Sequence, residues 1–551
     1  MNIKKITSIE ELMNYRDDWD NILQRNQNNN PFIEFEWIRQ WLLCFHESYD
    51  ILIYAVWHEQ EIIAFFPFIK KKRLFNNFIY FVGFGQANYM DIVVQKEWEV
   101  QAIQLVMGEL LRLKRSVFIL HGLLDSTGTA DAIKRYCTDH RISFHGSQTV
   151  APYIDLSMDN FNDYIEKRMK RHGGDRKEKR LKKLGHVDFR SVDKEQLEAM
   201  FHLHEKRWHA KMDTSGFTKG QTHEFYKSLS TLKNEVIETK LDGLYIEEQL
   251  VAFFYGFVCR DRYVLYVLAH DDDFGVFSPG RILLKEAIKD RYSNQVQNFD
   301  LSIGYESYKL DWNTGMDQSN KVMMPGKGML SRLIFWYIVF KDTLIHNMKM
   351  NRRLVHFKRN TLGRLKSYLY GMDATSLKRI GKAIKGFLFQ NYVYEIYQMD
   401  REMFEKQSKS GNFQMLTVKE LYEYPSVFQE NMDQIVKRLF KKEQGYCLIH
   451  NGQLANYYWV NEAEVRIDHV DFANPISENS LFVYDWAEFD VNAIAELFKK
   501  NKKLNSIYVA ASSKSKDKKL FDDQGFSKVH RIMKQTFFGF SFFKKRDFQI
   551  N

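Results

Sequence analysis

The sequence predicts an α/β protein built from copies of one unit, each a mixed, mostly antiparallel sheet flanked by helices. Three observations predict this. A hairpin pattern occurs three times, the elements after each hairpin recur in the same order, and the copies lie a domain's length apart. The chain has 551 residues and 44% hydrophobic content, enough for several packed cores. Few prolines and glycines argue against long disordered stretches.

The hairpins come first. "ILIYAVWHEQEIIAFFPFI" begins at Ile51, "GLYIEEQLVAFFYGFV" at Gly243 and "YCLIHNGQLANYYWV" at Tyr446. Each is an apolar strand, a polar turn and an aromatic-rich strand. A helix and a further strand follow each hairpin. In the first copy these are "WEVQAIQLVMGELLRLK" and "SVFILHGL", in the second "GRILLKEAIKDRYS" and "NFDLSIG", in the third "VNAIAELFKKNK" and "SIYVAASS". A strand–helix–strand crossover places parallel strands in each sheet. The expected units are residues 1–150, 151–330 and 391–551, with a basic helical linker over 331–390.

Charge and cysteine content narrow the classes. The 80 basic and 70 acidic residues leave +10, a mixed surface with basic patches. Residues 160–186 and 331–390 hold the basic runs, read first as solvated helix faces and second as contacts for nucleic acid or anionic lipid. Cys44, Cys137, Cys259 and Cys447 are far apart, with no CxxC and no histidines at metal spacing, so reduced thiols and no metal are expected. The start reads as no signal peptide. The longest apolar run, Leu333 to Phe340, is far short of the ~20 residues a spanning helix needs. A cytoplasmic protein is expected, at most peripheral at the inner face of a membrane.

One stretch carries chemistry. In "FSPGRILLKEAI" (277–288), Ser278 reads as a helix N-cap, Pro279 as the first helical residue and Gly280 as a bare position behind it. A helix end with free N–H groups attracts phosphate, and Arg281 adds a cation. The stretch follows the strand "RYVLYVLAHDD" and opens the crossover helix, where α/β sheets bind ligands. The plain alternative is an ordinary helix start. The other two copies enter their helices without glycine, and the third does so through acidic residues. The middle copy is therefore the one expected to bind a phosphorylated cofactor.

This order of elements resembles the GNAT acyltransferase fold. "LYVLAHDDDFGVFSPGRILLKEAIKDRYSNQVQNFDLSIGYESYKLDWNTG", with "EKRW" at 205–208, resembles the GNAT-like proteins of the CelD/BcsL type. Those are linked to bacterial cellulose and exopolysaccharide production and related to Fem-type aminoacyltransferases. The likeness spans about the first 330 residues, where "NPFIEFEWIRQWL" and "GQANYMDIVV" fit the first half. One departure is Ala269-His270-Asp271, where the family often carries an aromatic-Asp pair. The third copy resembles GNAT domains through "IYVAASSKSKDKKLFDDQGFSKVHRI" but lacks the glycine-rich coenzyme A loop. It reads as a degenerate structural or partner-binding module.

The resemblance implies transfer of an acyl group from acetyl-CoA or another acyl-CoA, without a metal, to a saccharide or amine acceptor. It places Ser278, Gly280 and Arg281 on the cofactor. Asp300 or Glu306 is the implied base, Tyr305 the proton donor to the thiolate, and Lys309 a partner for phosphate or an acidic acceptor. Trp208 is a candidate sugar platform, and Tyr89 and Asp91 candidates to complete a groove between the halves. Packing roles are the plain alternative for Trp208, Tyr305 and Tyr308, and a structural pair for Asp300. The expected substrate is an exopolysaccharide or cell-envelope sugar or precursor, with a membrane-associated polysaccharide synthase as a further partner. Two other readings stand beside it: a tRNA-dependent aminoacyltransferase using the 167–183 basic stretch, and a non-catalytic scaffold in polysaccharide biosynthesis.

Overall fold

The computed structural model describes residues 1–73, 76–210, 220–350, 389–404 and, with short breaks, 412–547. The linker arginines from Arg352 to Arg364 and most of the expected 491–502 helix lie outside the described residues. The architecture is α/β, with mixed, mostly antiparallel sheets flanked by helices.

Thirteen strands form one sheet: β1 (Asn2–Ile6), β2 (Asp50–His58), β3 (Glu61–Arg73), β4 (Asn76–Phe81), β5 (Val93–Val94), β6 (Ser116–Leu124), β7 (His145–Asp155), β8 (Val187–Ser191), β9 (Ile237–Ile246), β10 (Gln249–Cys259), β11 (Arg262–His270), β12 (Asn298–Asp300) and β13 (Gly315–Pro325). Their order is β1-β2-β3-β4-β6-β13-β7-β12-β11-β10-β9-β8, with β5 on β3. The β2–β3 and β9–β10 hairpins close through two-residue turns, Glu59-Gln60 and Glu247-Glu248. Glu59 (φ 54°) and Glu247 (φ 48°) take the positive φ that such turns require.

The two copies exchange their last strands. β7, which ends the first copy, pairs with β12 of the second. β13, which ends the second, pairs with β6 of the first, and β7 and β13 pair with each other from Gly315↔Tyr153 to Met323↔His145. The position 150/151 falls inside β7. Backbone hydrogen bonds thus run without a break between the halves, and neither can fold alone without leaving an edge unpaired.

Each copy has one parallel pair joined by a crossover helix: β4 with β6 through Glu99–Leu110, and β11 with β12 through Pro279–Ser293. A second, eight-stranded sheet holds the third copy, with Ser480–Tyr484 parallel to Ser506–Ser512. It packs on the loop before the Pro279–Ser293 helix: Phe440 meets Phe277 edge-on at 5.2 Å, and Tyr422 stacks on Phe274 at 6.2 Å.

Candidate functional site

The site begins where two strands part. β11 and β12 pair only from Arg262↔Asn298 to Val264↔Asp300. The expected strand "NFDLSIG" stops at Asp300 because the chain then stays with β7: Leu301 N–H donates to Pro152 O at 3.0 Å and Gly304 N–H to Val150 O at 2.9 Å. β11 runs on to His270 with no strand on that side among the described residues. The result is a wedge-shaped gap between Leu265–His270 and residues 301–309.

A cavity opens on each side of the wedge. One, of about 520 Å³, lies towards the first copy and is lined among others by Gln86, Asn88, Trp208, Tyr266, Glu306 and Lys309. The other, of about 200 Å³, lies at the start of the Pro279–Ser293 helix and is bordered among others by Arg207, His270, Ser278, Gly280, Arg281 and Trp312. Leu268 and Tyr308 border both.

The smaller cavity suits an anion. Among the described residues the Gly280 N–H has no acceptor. A methyl group at Gly280 would meet only His270 Nδ1, at 3.4 Å, so the glycine leaves the helix end open. Trp312 Nε1 is buried there and has no hydrogen-bond partner among the described residues. Arg207 reaches the same space and contacts His270. Burial lowers the Arg207 pKa, so an anion beside it would relieve the desolvation of its charge. These features fit a diphosphate.

Two details of the helix start depart from expectation. Ser278 makes no side-chain cap; it sits at φ 57° and its hydroxyl accepts from Lys177 Nζ at 2.9 Å. This left-handed backbone differs from the extended conformation that a side-chain N-cap uses and that a following proline favours. Arg281 is already committed to protein: it donates to the Arg168 carbonyl, lies 3.6 Å from Asp311 and covers the Trp312 ring. Arg207 is the cation facing the cavity, and sequence reasoning passed over it inside "EKRW". Lys177, from the basic stretch, turns inward to the site, and its neighbour Glu178 is ion-paired with Lys285 of the crossover helix at 2.6 Å.

The remaining candidates divide. Trp208, Glu306 and Lys309 are brought together on the larger cavity. Lys309 is buried, donates to the Ile303 carbonyl at 2.5 Å and lies 3.2 Å from Glu306. Burial lowers its pKa, partly offset by Glu306. Tyr305 is 54% exposed and borders neither cavity, whereas Tyr308 borders both. The short Ser307–Trp312 helix explains the difference, for Tyr305 lies before its first turn. Burial raises the Tyr308 pKa, so its hydroxyl stays protonated.

Asp300 is 1% exposed and fully engaged. Arg262 pairs with it, Tyr89 Oη donates to it at 2.8 Å and the Ser302 N–H at 2.5 Å. This clamp fixes the end of β12 to the first copy. Tyr89 is wholly buried in it, and its place on the groove wall is taken by Gly85, Gln86 and Asn88. Asp91 borders a separate polar cavity with Asn28, Thr127 and Thr129, where burial pushes its pKa up to about 6.

Among the described residues the other copies show no such opening. In the first, β4 leaves β6 after Ile79↔Phe118, and Tyr89–Met90 runs against β6, with Met90 N–H donating to Gly122 O at 3.1 Å. Gly122 (φ 86°) admits this approach; a methyl group there would lie 2.7 Å from Met90 N. In the third, Trp486, Phe489, Phe521 and Phe526 pack beside Val483 and Val509 at the end of the parallel pair. Among the described residues, no group of His, Cys, Asp and Glu is arranged to hold a metal.

The third copy buttresses the loop that leads into the Pro279–Ser293 helix. Phe440→Ala is expected to loosen residues 272–278 and raise the KM for acyl-CoA several-fold with kcat little changed. Steady-state kinetics at saturating acceptor check this. Removing a packed Phe costs about 3 kcal/mol where the site cannot collapse, enough to shift the loop.

Residues 168–310 match the family model described as "Acetyltransferase (GNAT) domain". The match covers both walls of the wedge. No curated protein matches the chain. Solved structures of similar shape include FemX, at 10% identity over 58% of this chain and 97% of that one, TM-score 0.42. A conserved protein of unknown function from Bacteroides thetaiotaomicron is 12% identical over 59% and 99%, TM-score 0.39. A tandem GNAT protein from the clavulanic acid biosynthesis pathway is 7% identical over 60% and 100%, TM-score 0.34. At these scores none bears on the chemistry. The match indicates an N-acyltransferase domain over residues 168–310, and domains of this kind use acyl-CoA donors.

Proposed function

We propose that the middle copy transfers an acyl group from acetyl-CoA, or another acyl-CoA, to an amine or hydroxyl of a saccharide held between the two halves. The observation that carries this reading is the wedge between β11 and residues 301–309, with an anion-suited cavity on one side and a polar one of about 520 Å³ on the other. Ligand sites commonly span ~300–1,000 Å³.

In this reading Gly280 N–H and Arg207 hold the diphosphate. The free edge of β11 offers backbone groups to the amide-bearing arm of the donor. The larger cavity takes the acceptor, with Trp208 as an apolar platform and Gln86 and Asn88 as polar contacts. An exopolysaccharide or cell-envelope sugar fits that mixture, and the resemblance to CelD/BcsL-type proteins favours it.

The chemistry follows from what borders the wedge. The acceptor nitrogen or oxygen bonds to the thioester carbon and the C–S bond breaks. The acceptor's proton passes to Lys309 when that amine is neutral, or to the Glu306 carboxylate. Tyr308 gives its hydroxyl hydrogen bond to the departing sulfur.

Thermal melting with acetyl-CoA tests the donor site. A ligand at about 100 times its Kd stabilises the folded state by about 2.7 kcal/mol. No shift at saturating acetyl-CoA, propionyl-CoA and free CoA would defeat the reading.

The pH dependence tests the base. A lysine with lowered pKa loses its proton below the ordinary ~10.4. If neutral Lys309 accepts the proton, the rate rises with pH and levels off before that value, and Lys309→Met abolishes the rise. If Glu306 alone serves, Lys309→Met retains the activity and Glu306→Gln loses it. Tyr308→Phe is expected to lower kcat by about a hundredfold, within the range for a positioned acid, while Tyr305→Phe leaves it unchanged.

A further inference from the structure

The Met329–Met350 helix leaves β13 and lies against the outer side of the large sheet. Its inner stripe is accounted for. The Ser331 hydroxyl accepts from Ser116 N–H at 3.0 Å, Phe335 and Val339 pack with Val117 and Met323, and Asp342 pairs with Lys321 at 2.6 Å.

The opposite stripe is apolar and bare. Met329 is 78% exposed, Leu333 59%, Trp336 56%, Tyr337 66%, Phe340 68% and Leu344 49%. At 3.6 residues per turn these six fall within about 100° of the helix circumference. A soluble surface rarely presents so many large apolar side chains in one row.

We propose that this stripe seats the protein on an anionic membrane surface. Trp, Tyr, Phe and Leu on one face, with cations at the margins, is the composition of a helix lying in the lipid interface. Arg332 and Lys341 stand exposed at the two edges of the stripe. From residue 343 to 388 the chain carries eleven Lys or Arg against the single acidic Asp373. That excess complements anionic headgroups. A second copy is the poorer occupant, because a symmetric pairing on this face would bring the Arg332 and Lys341 cations of the two copies together. The helix lies on the bilayer rather than across it, since no described helix is long and apolar enough to cross. The inference is independent of the transferase reading, and its test does not read activity.

The test is co-sedimentation of the full chain with vesicles of equal parts phosphatidylglycerol and phosphatidylcholine, against phosphatidylcholine alone. The wild type is expected to pellet with the anionic vesicles and to be released by raised salt. The outward triple variant Leu333→Ser, Trp336→Ser, Phe340→Ser leaves Ser331, Phe335, Val339 and Asp342 in place and is expected to lose about tenfold or more in partition. If that variant fails to melt cooperatively, Phe340→Ser alone carries the test, with a several-fold loss. Wild type that stays in the supernatant with anionic vesicles overturns the proposal, as does equal pelleting of a folded variant. Light scattering that gives two copies for wild type and one for the variant overturns it in favour of self-association.

Discussion

Gly280→Glu is expected to abolish the acetyl-CoA-induced rise in melting temperature while leaving the melting temperature of the free protein within a few degrees. The position tolerates a side chain: its nearest neighbour would be His270 Nδ1 at 3.4 Å, and the cavity beyond is open. A carboxylate there meets the helix end and Arg207, the groups proposed to meet the diphosphate. It satisfies them from within the protein and repels the donor. Donor affinity should fall by about a hundredfold or more, equal to about 2.7 kcal/mol. Calorimetric titration measures it directly. Gly280→Ala serves as the milder control and should weaken binding far less. Donor binding unchanged in a folded Gly280→Glu protein would move the diphosphate away from this helix, whatever the acceptor is.

Asp300→Asn is expected to lower the stability of the chain by about 3–5 kcal/mol, the range for breaking a buried ion pair from one side. Asp300 and Tyr89 are almost wholly buried, and among the described residues Arg262 forms its ion pair with this carboxylate alone. The amide keeps the shape of the side chain but leaves the Arg262 charge uncompensated. Urea unfolding followed by far-UV circular dichroism measures the loss. The same variant separates two roles. If Asp300 clamps the halves, kcat of the protein that remains folded stays within a few-fold of wild type. If it is the base, kcat falls by about a hundredfold or more at temperatures where the variant is fully folded. The saturated hydrogen bonding of this carboxylate favours the clamp.

Much of the fold could be read from residues alone. Hairpin turns announce themselves locally, because Glu59-Gln60 and Glu247-Glu248 are polar pairs between two apolar strands. The crossover helices are equally legible from apolar spacing and from Pro279 at a first helical position. The exchange of β7 and β13 was not legible, since both repeats would read the same whichever neighbour each last strand chose. The short β12 was missed for a related reason. "NFDLSIG" has strand composition throughout, and only the bonds of Leu301 and Gly304 to β7 end its pairing with β11.

The site divides along the same line. Residue types and order were enough to select the middle copy, Gly280, Trp208, Glu306 and Lys309 as candidates, because glycine at a helix start and polar groups after a strand carry their meaning locally. Which side chains face the wedge was decided by packing. Arg281 turns to Arg168 and Asp311, Arg207 comes in from a helix some seventy residues earlier, and Tyr308 rather than Tyr305 reaches the gap. Direction and burial belong to the assembled sheet, where a strand that departs from its neighbour makes an opening no local pattern encodes.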